Sequence, residues 1–243
     1  MARQRTPDGP PPPPAVQKLR IRYARRGRLR YSSTRDFGRA LERALRRSGV
    51  PMAYSAGFHP HPKISYANGA PTGAASEAEY FEISVTERVD PAAVARALDE
   101  ALPDGLDIVS VVEAQPGALA DRLEVSHWRL TFPGVDPAEL ERAVAGFLAQ
   151  EAVEVSRMFK RGLKSFDARG PVLSARTDVD ERGCAILTMV VRHTTPAVRP
   201  DDVLSAITAA TSFAPPRSPQ ATRLAQGLWS SETESVADPL ATD

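Results

Sequence analysis

The stretch Lys18-Leu19-Arg20-Ile21-Arg22-Tyr23 decides how the first half of this 243-residue chain folds. Apolar and basic residues alternate along it, which predicts a β-strand with one buried face. A helix is predicted next, because Ser33 can cap it with Asp36 three residues on, and Gly49 and Pro51 can end it. Its apolar stripe consists of Phe37, Ala40, Leu41, Ala44 and Leu45.

Further elements extend this beginning into a known arrangement. Strands are predicted at 63–67, 80–86 and 106–113, with a helix at 91–102. The resulting order, β-α-β-β-α-β, is ferredoxin-like. A second half repeats it, with strands at 125–132, 153–159 and 184–193 and helices at 137–150 and 200–210. We therefore predict an α+β fold of tandem ferredoxin-like halves, over residues 18–115 and 125–215.

Both ends of the chain are predicted to be disordered. Residues 1–17 contain the proline run 10–14, which favours an extended polyproline segment. Residues 228–243 carry four acidic residues and no basic one. Such a segment cannot bury enough apolar surface to fold by itself.

Cysteine content and hydropathy exclude several classes of protein. The single cysteine, Cys184, cannot form an intramolecular disulfide or hold an iron–sulfur cluster alone. No apolar run is long enough to span a bilayer, and the N-terminus lacks the apolar segment of a signal peptide. We expect a cytoplasmic protein without membrane contact, cofactor or metal.

Charge is distributed unevenly along the chain. Residues 1–50 contain 14 Lys and Arg against 3 Asp and Glu, a net charge of +11, whereas the remainder carries −10. A basic segment of this kind indicates an anionic partner. Because 27 of the 31 basic residues are arginine, part of this excess also reflects the arginine-rich composition of the whole chain.

The loop Gly57-Phe58-His59-Pro60-His61-Pro62-Lys63 carries the densest set of chemical groups. Prolines and glycine restrict its backbone, which is typical of functional loops. It is followed by the turn 71–73 and by Ser76, Glu79 and Tyr80.

With these motifs the chain resembles the radical-SAM-linked family, a bacterial domain of unknown function found fused to, or encoded beside, radical-SAM enzymes. The resemblance covers residues 18–210. It is carried by Arg30-Tyr31-Ser32-Ser33, by 41–49, by the loop 57–63, by Ser76-x-x-Glu79-Tyr80 and by 198–204. Where that family often has His-Leu-Asp after the first serine, this chain has Ser33-Thr34-Arg35-Asp36. The resemblance implies a radical-SAM enzyme as a partner.

Two basic rows are candidate phosphate contacts. One follows the first helix at three- and four-residue spacing and consists of Arg35, Arg39, Arg43 and Arg46. The other lies on the first strand and consists of Lys18, Arg20 and Arg22, which would occupy an open sheet face of the kind that RNA-recognition modules use. The alternatives are a solvated helix face and cross-strand pairing with Glu82.

The loop supplies a third candidate. Antiparallel pairing of 63–66 with the strand at Tyr80 would gather His59, His61, Lys63, Ser76, Glu79 and Tyr80 into one surface site beside the basic strand. A metal site is not expected, because the two histidines lack a third ligand nearby in sequence. A metal-independent ribonuclease is an alternative, with His59 or His61 as general base and Lys63 and Tyr54 stabilising developing charge.

The sequence thus predicts a non-catalytic RNA-binding accessory module for structured RNA such as tRNA or rRNA. It would act beside a radical-SAM enzyme or a ribonuclease. Two alternatives remain open, a hydrolase or ribonuclease centred on the His59 loop and a protein–protein adaptor.

Overall fold

The structure is a computed structural model that describes residues 11–241. It is a mixed α/β protein with four α-helices and a large mixed sheet among these residues. The described chain divides into two compact units, the first formed by residues 11–72 and 78–119 and the second by 73–77 and 120–241. No helix within 11–241 combines the length and the apolar character needed to cross a membrane.

The first unit contains every element predicted for its half. These are β1 (Gln17–Arg25), a 3-10 helix (Gly27–Tyr31), α1 (Thr34–Arg47), β2 (Ile64–Ala67), most of β3 (Ala75–Val85), α2 (Pro91–Ala101) and β4 (Leu106–Glu113). The strands lie in the order β4-β1-β3-β2. β1 pairs with β4, and β2 with β3, in antiparallel fashion, as predicted for β2 and Tyr80, which lies opposite Ala67.

The core of the first unit fixes how α1 is rotated. Tyr23 of β1 stacks on Phe37 of α1 with ring centroids 4.2 Å apart, and Phe81 of β3 meets both rings edge-on. The predicted apolar stripe of α1 is buried here at Phe37, Leu41, Ala44 and Leu45. Since α1 presents this stripe to the core, its opposite face lies in water.

The second unit contains the two predicted helices, the three predicted strands and five further strands. Its elements are β5 (Val125–Phe132), α3 (Pro137–Leu148), β6 (Glu154–Phe159), β7 (Gly162–Asp167), β8 (Val172–Val179), β9 (Ala185–Arg192), α4 (Pro200–Thr211), β10 (Gln220–Gly227), β11 (Trp229–Ser230) and β12 (Ser235–Val236). The main strands lie in the order β10-β5-β9-β8. β10 also pairs in parallel with Ala75 and Ser76, which makes the sheet mixed.

Several strands of the second unit were not predicted. β7, β8 and β10 carry many polar residues and so lack the apolar alternation that marks a half-buried strand. β11 and β12 form a short hairpin inside the segment predicted to be a disordered tail. At the other end, Gln17 is buried in β1 and exchanges hydrogen bonds with the backbone of Val89, while residues 1–10 of the predicted tail lie outside the described residues.

Candidate nucleic-acid interface

α1 presents a row of arginines to water. Its N-terminus is held by the predicted capping box, in which the Asp36 N–H donates to Ser33 Oγ and the Ser33 N–H donates to Asp36 Oδ2, each at 3.2 Å. Because the opposite side of the helix is buried, the residues at three- and four-residue spacing are exposed: Arg35, Arg39, Arg43 and Arg46. We call these four residues the arginine face.

The arginine face has few acidic partners. Arg46 lies 3.9 Å from the carboxylate of Glu42, an exposed pair that contributes little to stability. Among residues 11–241, no carboxylate lies within ion-pair distance of Arg35, Arg39 or Arg43. Three guanidinium groups on one side of a capped helix are therefore available to an anion.

Asp36 is the acidic group at the start of this face. Hydrogen bonds from Ser33 lower the pKa of its carboxyl below the ordinary value, and the charges of Arg39 and Arg35 add to this effect. Asp36 therefore stays ionised to a lower pH than an unperturbed aspartate does, which favours the cap. It occupies the first turn, where the helix dipole favours negative charge, and leaves the rest of the face cationic.

The 3-10 helix before α1 adds cationic and aromatic groups that the sequence reasoning did not assign. Arg28 is exposed, and Arg30 lies over the exposed ring of Tyr31 at 4.9 Å. The sequence analysis quoted Arg30-Tyr31 as part of a family motif but did not assign these two residues to a binding site. An arginine stacked on an exposed aromatic ring is suited to contacts with both a base and a phosphate.

A cleft of about 450 Å³ opens between the end of α1 and the loop 54–62. Leu45 and Met52 form its apolar side, and Glu42, Arg46 and His61 form part of its polar side. The structure therefore brings Arg46 of the arginine face and His61 of the loop to one concave surface, although the sequence placed them in separate candidate sites.

Backbone hydrogen bonds close the loop into a hairpin-like turn. The Ser55 N–H donates to His61 O at 2.9 Å, the His61 N–H donates to Ser55 Oγ at 3.0 Å, and the Lys63 N–H donates to Ala53 O at 2.8 Å. The side chains of Tyr54, His59, His61 and Lys63 are all exposed. Tyr54 and His61 line the cleft, whereas His59 and Lys63 do not.

The side chains of the predicted ribonuclease centre are not joined by hydrogen bonds. Within residues 11–241, no side-chain hydrogen bond joins His59 or His61 to Lys63 or Tyr54. The same part of the chain contains no group of three His, Cys, Asp or Glu that could hold a metal ion. The loop is therefore an exposed polar surface, with no assembled acid–base pair.

The prediction of an open basic sheet face was wrong for Arg20. This side chain is 2% exposed, with Nε 2.9 Å from Glu82 Oε1 and Nη2 donating to Gly117 O at 2.6 Å. Lys18 is exposed and lies 3.6 Å from the other oxygen of Glu82. Arg22 is half-buried. The segment after β4 covers this part of the sheet. The structure therefore contains the alternative arrangement, in which Arg20 and Lys18 pair across strands with Glu82.

The prediction of a single surface site that includes Tyr80 was also wrong. Ser76, Glu79 and Tyr80 are all buried, because β3 has a neighbouring strand on each side and both of its faces are covered. Glu79 accepts hydrogen bonds from the Ala70 N–H at 3.1 and 3.3 Å, while Ser76, in the second unit, accepts one from Arg223 Nε at 3.4 Å. These side chains satisfy the hydrogen bonds of buried polar groups, and a ligand cannot reach them.

A comparison with known protein families gives a match. The model of a family described as "uncharacterized protein conserved in bacteria (DUF2344)" matches residues 18–200, which is most of the chain. No curated protein matches the chain.

Proposed function

The chain belongs to this family of uncharacterized bacterial proteins, and from that premise we propose that it is a non-catalytic, cytoplasmic RNA-binding module. Its ligand is a structured RNA such as tRNA or rRNA. The observation that carries the proposal is the arginine face, where Arg35, Arg39 and Arg43 are exposed and no carboxylate among residues 11–241 lies within ion-pair distance of them.

The dimensions of the arginine face suit a nucleic-acid backbone. Arg35 and Arg46 are eleven residues apart, which corresponds to about 16 Å along a helix at about 1.5 Å per residue. This length is enough to meet several consecutive phosphates of a nucleic-acid strand. Guanidinium groups pair with phosphate oxygens through two parallel hydrogen bonds, so several phosphates can be engaged along one helix.

We also propose that the two units are tandem ferredoxin-like halves, and the strand orders support this interpretation. The first unit has the order β4-β1-β3-β2, and the second has the order β10-β5-β9-β8. If β6 and β7 are an insertion, each unit follows the element order β-α-β-β-α-β. RNA-recognition modules also use an α/β sandwich, but the binding surface proposed here is a helix and not the sheet.

A radical-SAM enzyme or a ribonuclease is the proposed partner, as the resemblance of the sequence motifs implies. The module would hold the RNA while the partner performs the chemistry. A single cysteine cannot bind an iron–sulfur cluster, so this chain would contribute binding alone.

A titration of RNA affinity against salt tests the proposal. Arg39→Ala with Arg43→Ala should bind a folded tRNA transcript more weakly, and the log–log salt slope should fall by about 1.4 to 1.8, since each lost phosphate contact removes about 0.7 to 0.9. Both side chains are exposed, so the melting temperature should be unchanged. A control variant, Arg96→Ala with Arg142→Ala, removes two exposed arginines outside the arginine face.

The control should retain the wild-type slope. If the two variants behave alike, the arginine face does not bind RNA. If the wild-type protein binds no RNA at any salt concentration, the proposal fails and the adaptor function is favoured.

A ribonuclease remains a second candidate, because Tyr54, His61 and Arg46 line the same cleft. In that case His61 would accept a proton and Arg46 would stabilise the phosphate. End-labelled RNA should then be cleaved by the wild-type protein, and His61→Ala should abolish cleavage while RNA affinity is retained. Intact RNA after prolonged incubation would exclude this candidate.

A further inference from the structure

β6 and β7 form a two-stranded ribbon that is separate from the main sheet. Their register places Arg157 opposite Lys164, Met158 opposite Leu163 and Phe159 opposite Gly162. Gly162 has a φ of +108°, which an L side chain rarely adopts, so the hairpin turn depends on glycine there. We call residues 158–164 the ribbon tip.

The two faces of the ribbon differ in chemistry. On one face, Arg157 lies over the rings of Phe159 and Phe166 at 4.7 and 5.1 Å, and Lys164 lies over Phe159 at 5.8 Å. On the other face, the directly opposed Met158 and Leu163 are 71% and 64% exposed. Directly opposed side chains on paired strands adjoin, so these two form one exposed apolar patch and are not scattered single residues.

The ribbon tip is strongly cationic. Lys160, Arg161 and Lys164 are exposed, and no carboxylate lies within ion-pair distance of them in the described part of the chain. The sequence from 155 to 166 contains no acidic residue.

The base of the ribbon is anchored, which holds the tip in place. Arg157 forms an ion pair with Asp202 at the start of α4 and donates to Ala197 O at 3.0 Å. At the end of β7, Asp167 accepts hydrogen bonds from the Val153, Arg169 and Gly170 N–H groups at 2.8 to 2.9 Å. Burial raises the pKa of the Asp167 carboxyl, but these hydrogen bonds and the charge of Arg169 outweigh it and lower the pKa.

We propose that the ribbon tip binds single-stranded RNA. The bases would lie against the apolar pair, while the phosphates would meet the exposed cations of the ribbon tip: Lys160, Arg161 and Lys164. Aromatic and apolar platforms beside cations are the general means of binding single strands. A protein partner could bury the apolar pair, but it would also have to supply acidic groups for the three cations, whereas every phosphate of a nucleic-acid strand carries a negative charge. This inference rests on the proposed RNA-binding function and adds a contact in the second unit.

Binding of an unstructured oligouridine of about 12 nucleotides, within the usual range of site sizes, tests the inference. Lys160→Ala with Arg161→Ala and Lys164→Ala should lower the salt slope by about 2, at about 0.7 per lost contact with a single strand. Met158→Ser with Leu163→Ser should weaken binding about fivefold or more without changing the slope. The control removes three exposed arginines elsewhere in the unit: Arg142, Arg182 and Arg217.

The arms of this experiment separate the inference from the proposed function. If the ribbon variants bind oligouridine as the wild-type protein does, while Arg39→Ala with Arg43→Ala still weakens binding of folded tRNA, the ribbon inference is wrong and the proposed function stands. Protein partners would then be the remaining use of the ribbon tip. If wild-type protein binds neither RNA, both fail.

Discussion

The ion pair of Arg20 and Glu82 is almost excluded from water. Removal of one partner would leave the other charge buried, which is far more costly than loss of an exposed pair. We predict that Arg20→Ala lowers the free energy of unfolding by about 3 kcal/mol. The double variant Arg20→Met with Glu82→Leu should recover most of this loss. Urea denaturation measures both values.

A small effect would contradict the burial of this pair. If the free energy of unfolding of Arg20→Ala lies within about 1 kcal/mol of the wild-type value, as expected for an exposed pair, the sheet face at β1 is open to solvent. The sequence alone left both readings available, because alternation along β1 identifies the two faces of the strand but not what covers the polar one.

The burial of His193 predicts that the stability of the second unit depends on pH. A backbone carbonyl can only accept, so Nδ1–H donates to Leu123 O at 2.8 Å and Nε2 accepts from Ser126 Oγ at 2.7 Å. Burial, with a contribution from the charge of Arg223, lowers the pKa of His193, and burial also lowers that of His127. Both histidines are therefore neutral in the folded protein near neutral pH.

Stability should fall as the pH falls through this range. Below about pH 6.5 the unfolded chain binds protons that the folded histidines do not, so each lowered pKa costs up to about 1.4 kcal/mol per pH unit. We predict a decrease in the urea midpoint between pH 7.5 and 5.5 that is smaller in His193→Asn. Parallel pH profiles for the two proteins would show that His193 does not carry the effect.

At the scale of elements, helices were easier to predict than strands. α1 was recovered because its cap, its apolar stripe and its terminating Gly49 are all local signals. The ribbon of β6 and β7 was recognised only in part, since the polar residues of β7 give no alternation. The binding role proposed for it was not predicted from the sequence, because cation–aromatic contacts such as that of Arg157 with Phe166 form only once the strands pair.

β3 was predicted as a strand, but its burial was not. Its alternation at Phe81, Ile83 and Val85 correctly predicts a strand, but it suggests one free face. The structure places a strand on each side of β3 and covers both faces, so Glu79 and Tyr80 are buried. Strand neighbours are set by contacts distant in sequence, and local pattern does not reveal them.

For the whole molecule, the charge count overstates the cationic surface. Residues 1–50 have a net charge of +11, yet Arg20 pairs internally and Arg25 is buried with its guanidinium donating to Ala70 O and Pro71 O at 2.9 and 3.0 Å. Among residues 11–50, the exposed arginines lie on α1, on the 3-10 helix before it and at Arg26. Charge asymmetry in the sequence therefore indicates a basic segment, and the buried side of each element decides which of its charges reach the surface.

Ultraviolet crosslinking in living cells tests the central claim most directly. RNA crosslinked to the native protein would be recovered and sequenced, and the crosslinked peptides would be identified by mass spectrometry. We predict enrichment of a structured RNA, with peptides from Thr34–Arg47 among the crosslinked set, and a large loss of recovered RNA in Arg39→Ala with Arg43→Ala. Equal recovery from that variant, or no RNA above a non-binding control protein, would contradict the account.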